Sequence, residues 1–170
     1  MAIDLTLKSV EITNREATPR VLNNPGLGGG GELKVARGYI ASVTASLSAT
    51  SVIRFCEVPS SAVVHKVVVD SGAQTAGKFD IGVYRNNKDG GAAVDQDFFT
   101  TDLDCAAAVI AQDVTRKATS AYSIAEGSEP LWDALGMSAD PCSTLDICGT
   151  VHTTDVTTGT GAMSVVVYYS

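Results

Sequence analysis

Four aspartates, Asp95, Asp97, Asp102 and Asp104, form the densest carboxylate group of the chain. Oxygen-rich clusters of this kind hold calcium when a loop wraps them around the ion. The ligand spacing and turn glycine of the EF-hand loop are missing, so the group reads as a solvated loop or strand edge and no metal is expected. Two carboxylates flanking a cleft could also cleave a glycosidic bond, but nothing in the spacing pairs them. His65 and His152 are the only histidines, and a Ser-His-Asp or Cys-His site would need one of them as its base. Both lie in strand-like runs beside valines, and no Gly-x-Ser-x-Gly elbow occurs. A half-buried strand residue is the simpler reading of each, and no enzymatic activity is expected. Gly26-x-Gly28-x-x-Gly31 matches the dinucleotide fingerprint letter for letter. That motif needs a strand before it, a helix after it and an acidic residue about 20 positions on. Here Asn23-Asn24-Pro25 precedes it, and no Asp or Glu lies between Val35 and Cys56. The tract reads as a flexible tether, and no cofactor is expected.

The cysteines, Cys56, Cys105, Cys142 and Cys148, show neither a Cys-x-x-Cys pair nor histidines at finger spacing, which argues against zinc. Cys56 and Cys148 fall in strand-like runs and read as small buried apolar residues with free thiols. Trp132, the single tryptophan, is a stacking platform for carbohydrate, an interface anchor or a core residue; on a short amphipathic turn the core is the commonest place for it.

The elements that must position these residues are strands. In 63–70, Val63, His65, Val67 and Val69 alternate with Val64, Lys66, Val68 and Asp70, a period of two. Phe79, Ile81 and Val83 alternate in the same way. So do Leu145, Ile147, Gly149 and Val151, and so do Met163, Val165, Val167 and Tyr169. Asp70-Ser71-Gly72, Asn86–Gly91 and Thr157–Gly161 carry turn chemistry, and the runs at 145–152 and 162–169 are expected to form a hairpin. Pro130–Gly136 has the proline-first, glycine-last signature of a short helix. Ala106–Ile110 is either a second helical turn or a strand. Several short strands with turns between them indicate an all-β sandwich, barrel or jelly roll.

The 170 residues and 17.6 kDa suit one domain, or one domain with an arm. Residues 1–50 hold Pro19, Pro25, the glycine tract and a small-residue stretch, with five basic and four acidic side chains. Residues 51–170 hold seven basic and fifteen acidic ones. The division predicts an N-terminal arm or lead-in over 1–50 and a folded body over 51–170. A tail without structure, or a first strand of the body, are the other readings of 1–50. The net charge of -7 argues against nucleic acid as a partner. The longest apolar runs fall far short of the roughly 20 residues a bilayer requires, and the opening lacks the pattern of a signal peptide. Cytosolic synthesis and no membrane partner are expected.

From Phe79-Asp80-Ile81-Gly82-Val83-Tyr84, through Gly90-Gly91-Ala92-Ala93-Val94-Asp95-Gln96-Asp97-Phe98-Phe99, the chain resembles the cement, or decoration, proteins of podophage heads. The likeness continues in Leu131-Trp132-Asp133-Ala134-Leu135-Gly136, Asp140-Pro141, Leu145-Asp146-Ile147 and the closing 157–169 stretch, and covers about 55–170. The resemblance implies a jelly-roll sandwich with one or two short helices and attachment to the outside of a virion shell. There the protein would bridge neighbouring major capsid subunits and associate with itself as a dimer. The glycine tract and the four cysteines depart from the pattern. Arg15, Arg20, Arg37 and Tyr39 are the expected capsid-contact residues, as charged or aromatic anchors. A tail- or fibre-associated β-module and a carbohydrate-binding sandwich are the alternatives.

Overall fold

A computed structural model describes residues 17–19, 32–42, 47–75, 77–117, 120–152, 156 and 161–170. The chain divides into two units, Met1–Glu32 and Leu33–Ser170. Among the described residues the second carries eight strands: β1 (Lys34–Ile40), β2 (Val52–Pro59), β3 (Val64–Ser71), β4 (Lys78–Arg85), β5 (Ala93–Asp104), β6 (Val109–Asp113), β7 (Thr144–Val151) and β8 (Met163–Tyr169). A 3-10 turn at Glu126–Ser128 and one α-helical turn, α1 (Leu131–Ala134), lie between β6 and β7. Gly136, at φ +67°, closes it in the left-handed conformation that glycine adopts without strain.

The strands form two four-stranded antiparallel sheets, ordered β1-β8-β3-β6 and β2-β7-β4-β5. Pairing is nested: β1 with β8, β2 with β7, β3 with β6, β4 with β5. The chain is doubled back on itself and the doubled ribbon is wrapped into two layers, which is the jelly roll. Of these strands only β4 and β5 are consecutive and hydrogen-bonded to each other. Their connection is the expected turn, a single 3-10 turn at Asn87–Asp89 whose Asn86 side chain accepts from the Asp89 N–H at 2.9 Å.

The hairpin expected between 145–152 and 162–169 does not form. β7 pairs with β2 and β4, while β8 pairs with β1 and β3. The connection between them passes from one sheet to the other. Both strands are apolar on two faces and so are suited to interior positions of different sheets. The expected boundary at residue 50 also moves. Lys34–Ile40 is a regular strand paired residue for residue with β8, so the body begins at Leu33. Ala106–Ile110 contains the start of β6 rather than a helix.

The core lies between the sheets. Val67 and Val69 of β3, Phe79, Ile81 and Val83 of β4, Leu145 and Ile147 of β7, and Val165 and Val167 of β8 are all fully buried within it. Alternation predicts these side chains, with one phase error. A register shift between Val64 and Lys66 turns Val64 inward, where the simple period had placed His65. Bulges of this kind break the two-residue repeat at one point. A larger irregularity shapes β5. Between the pairs Ile81↔Thr100 and Val83↔Asp95, the residues Gln96, Asp97, Phe98 and Phe99 stand against the single Gly82. A Cβ on Gly82 would overlap the backbone of Asp95 and Gln96, so only glycine admits this excursion. It brings Phe98 and Phe99, adjacent in sequence, both into the core. Tyr122, from the β6–β7 connection, packs on them with ring centroids 5.2 and 5.6 Å away and donates its hydroxyl to the Val64 carbonyl at 2.6 Å.

Candidate functional site

The residues singled out for chemistry are separated by the fold. Asp95 and Asp97 stand together: the Asp97 N–H donates to Asp95 Oδ1 at 3.2 Å and Thr101 donates to Asp97 Oδ2 at 3.0 Å. Asp102 instead pairs with Lys78 at 2.9 Å on the surface, and Asp104 accepts from the Ala106 N–H. Among the described residues no group of three or more His, Cys, Asp or Glu side chains is placed to hold a metal ion. The Asp95 carboxyl is raised from its ordinary value, first by desolvation and then by the hydrogen bond it shares with Asp97. A carboxyl raised in this way costs the folded state nothing while both states are protonated, and weakens it as pH rises through the folded value. Asp95→Asn keeps the acceptor for the Asp97 N–H and removes the charge. Thermal melts are therefore expected to show a higher Tm for this variant at neutral pH, and no difference once the pH falls below the carboxylate range.

His152 Nδ1 lies 2.8 Å from Asp80 Oδ2, and Asp80, only 2 % exposed, also accepts from the Asp102 N–H at 2.8 Å. A histidine held by a buried carboxylate is also the arrangement that orients the base of a catalytic triad. Among the described residues no Ser, Thr or Cys side chain bonds to His152. The pair ties the end of β7 to β4 and β5. His65 Nε2 lies 2.9 Å from Ser170 Oγ, at the other end of the body's chain. Burial pushes the thiols of Cys56 and Cys148 up to about 12 and that of Cys105 to about 11. They stay protonated and unreactive, while Cys142 is exposed. Trp132 is half-buried; its neighbour Leu131 takes the core position of α1.

The outer face of the β1-β8-β3-β6 sheet departs from what water-facing strands normally present. Antiparallel sheets commonly alternate apolar-in with polar-out. Here the outward residues of β1 are Leu33, Val35, Arg37 and Tyr39, with Leu33, Val35 and Tyr39 each more than half exposed. Those of β8 include Val166 and Tyr168, and β3 adds Val68. Strand registers set these side chains in rows across the sheet: Val35, Tyr168, Lys66; then Arg37, Val166, Val68, Asp113; then Tyr39, Ser164, Asp70. Two open grooves of about 400 and 390 Å³ score this surface, one beside Arg37, Tyr39 and Asp70, the other beside Leu33, Val68 and Tyr168. Lys66 and Asp113 lie 3.6 Å apart and neutralise each other in part. Among the described residues Arg37 has no ion-pair partner.

Two of the four expected contact residues, Arg37 and Tyr39, thus stand together on one face. Arg15 and Arg20 lie outside the described residues, as does the glycine tract. Sequence reasoning missed Val68, Asp113, Val166 and Tyr168. For Val166 and Tyr168 the signal was present in Met163–Tyr169, where both alternating sets are largely apolar, although one buried face requires only one such set.

No protein-family model matches the chain, and no curated protein does. Among solved structures, a chain of the cyanophage Pam1 capsid asymmetric unit shares the fold, with a TM-score of 0.52 and 17 % sequence identity. The likeness covers 91 % of this chain and 95 % of that one. At this identity the likeness concerns the fold, and it extends over nearly the whole of both chains. No helix among the described residues is long and apolar enough to cross a membrane.

Proposed function

We propose that this chain is a capsid cement protein of a tailed bacteriophage, which binds the outer surface of the head and bridges neighbouring major capsid subunits. The observation that carries the reading is the near full-length likeness to a chain of a phage capsid asymmetric unit. The exposed apolar sheet face supports it, since contiguous apolar surface on a soluble domain marks a contact site. The role is structural rather than catalytic. The partners are the major capsid protein and a second copy of the chain, with no nucleic acid and no membrane, and the protein resides in the virion. A cement gains strength by spreading modest contacts over many subunit junctions, where linked weak contacts add up to a strong hold. An acidic body on the outside of the shell does not compete for the packaged genome.

Co-sedimentation with purified heads lacking this protein tests the reading. Saturable pelleting at a fixed ratio to the major capsid protein is the expected outcome. Failure to pellet with expanded heads would remove the cement role.

A further inference from the structure

We infer that the outer face of the β1-β8-β3-β6 sheet is the surface on which two copies of this chain pair, about a two-fold axis parallel to the strands and midway between β8 and β3. This rests on the proposed function for the expectation that copies associate, and adds the face and the register. The central row reads Arg37, Val166, Val68, Asp113 from one edge strand to the other. In charge it is positive, apolar, apolar, negative. Rotation about that axis reverses the row and lays it face down on its original. Arg37 then meets Asp113 of the second copy, Val166 meets Val68, and each contact occurs twice, as an isologous interface requires. The adjacent row follows the same logic, because reversal lays the Tyr168 ring over the Lys66 ammonium of the other copy, an attractive arrangement. A body with a net negative charge repels its own kind except where a face carries both signs in complementary order, and this face does.

Two four-stranded sheets stacked in this way continue the sandwich by a further aligned layer. At about 4.8 Å between strands and about 3.4 Å per residue, the shared footprint is roughly 450 Å². That is modest beside the about 800 Å² per partner of a standard interface, so association in the micromolar range is expected.

The register is tested by charge reversal. Arg37→Glu and Asp113→Lys are made in separate chains, so that each variant alone sets like charges opposite each other, while the mixture restores two opposite-charge contacts in the inferred register. The mixture is expected to associate at least tenfold more tightly than either variant alone. Sedimentation of the unmodified chain at about 100 μM, where a micromolar contact is largely formed, should give twice the 17.6 kDa chain mass. Arg37→Glu, an exposed substitution, should weaken association at least tenfold with an unchanged circular dichroism spectrum. A monomer at that concentration, a mixture that associates no more tightly than either variant alone, or an Arg37→Glu dimer of undiminished affinity would overturn the inference. Head co-sedimentation separates this result from the proposed function. A monomer that pellets with heads removes the pairing face alone, and a charge-complemented dimer that does not pellet upholds the face while the cement role fails.

Discussion

Truncating Phe99 to alanine is expected to cost about 3–5 kcal/mol, the range for emptying a large aromatic site in a packed core. Phe99 is fully buried and meets Phe98 edge-on at 5.1 Å and Tyr122 at 5.6 Å. The three rings pack on one another in the core, so truncation leaves a cavity that the neighbouring side chains fill only in part. For a chain of this size each kcal/mol moves Tm by about 2–4 °C, and the melt should fall by roughly 6–20 °C. Ile110→Ala, at a residue 83 % exposed, is the matched control and should stay within about 0.5 kcal/mol of the parent. A Phe99→Ala melt no lower than that of the control would show that the aromatic cluster does not hold β5 to the core.

The second large effect is expected at Arg54. Its guanidinium pairs with Asp146 at 2.6 Å and donates to the carbonyls of Arg85 at 2.9 Å and Gly91 at 2.7 Å. One side chain of β2 therefore joins β7, the end of β4 and the turn into β5. The side chains of Arg54 and Asp146 are 27 % and 16 % exposed, so the pair is shielded but not sealed. Removing one partner of a buried pair costs about 3–5 kcal/mol. Allowing for the partial exposure, Arg54→Met is expected to cost about 2–4 kcal/mol. Much of that is the penalty of leaving Asp146 without its cation, so Arg54→Met with Asp146→Leu should recover a large part of the loss. Denaturant unfolding of the two single variants and the double variant measures the coupling. Additive losses would mean that the carbonyl bonds, rather than the ion pair, dominate.

Phe79–Val83 and Leu145–Val151 were legible from the sequence because burial on alternate positions is a local pattern, and the Asn86–Gly91 turn and the Pro130–Gly136 helix because their backbone needs select particular residues. The pairing of strands was not legible. Arg54 finds Asp146 and Tyr122 finds Val64 only through the nested order of strands, and neither contact leaves a mark at short range. The β5 excursion hides in a run of polar and aromatic residues whose period is broken. Lys34–Ile40 was obscured by the glycine-rich tract before it and the small residues after it. The outer face of the β1-β8-β3-β6 sheet was half visible: Arg37 and Tyr39 could be read as anchors one at a time, but the rows they belong to exist only when β1, β8, β3 and β6 are laid side by side.

The nested pairing also dictates how the fold is reached. Only the β4–β5 ribbon closes over a short loop; every other pair joins segments progressively further apart, ending with Lys34 against Tyr169 at the two extremes of the body. Each closure adds loop entropy that must be met before its contacts return anything. Chains dominated by such distant pairings fold in milliseconds to seconds rather than microseconds. β8 occupies an interior place between β1 and β3, so the β1-β8-β3-β6 sheet is complete only once β8 is in place. Before β8 arrives, β1 has no sheet to join and Arg37 has no row to belong to. The rows that Arg37 and Tyr39 join are thereby reserved for molecules that have finished folding.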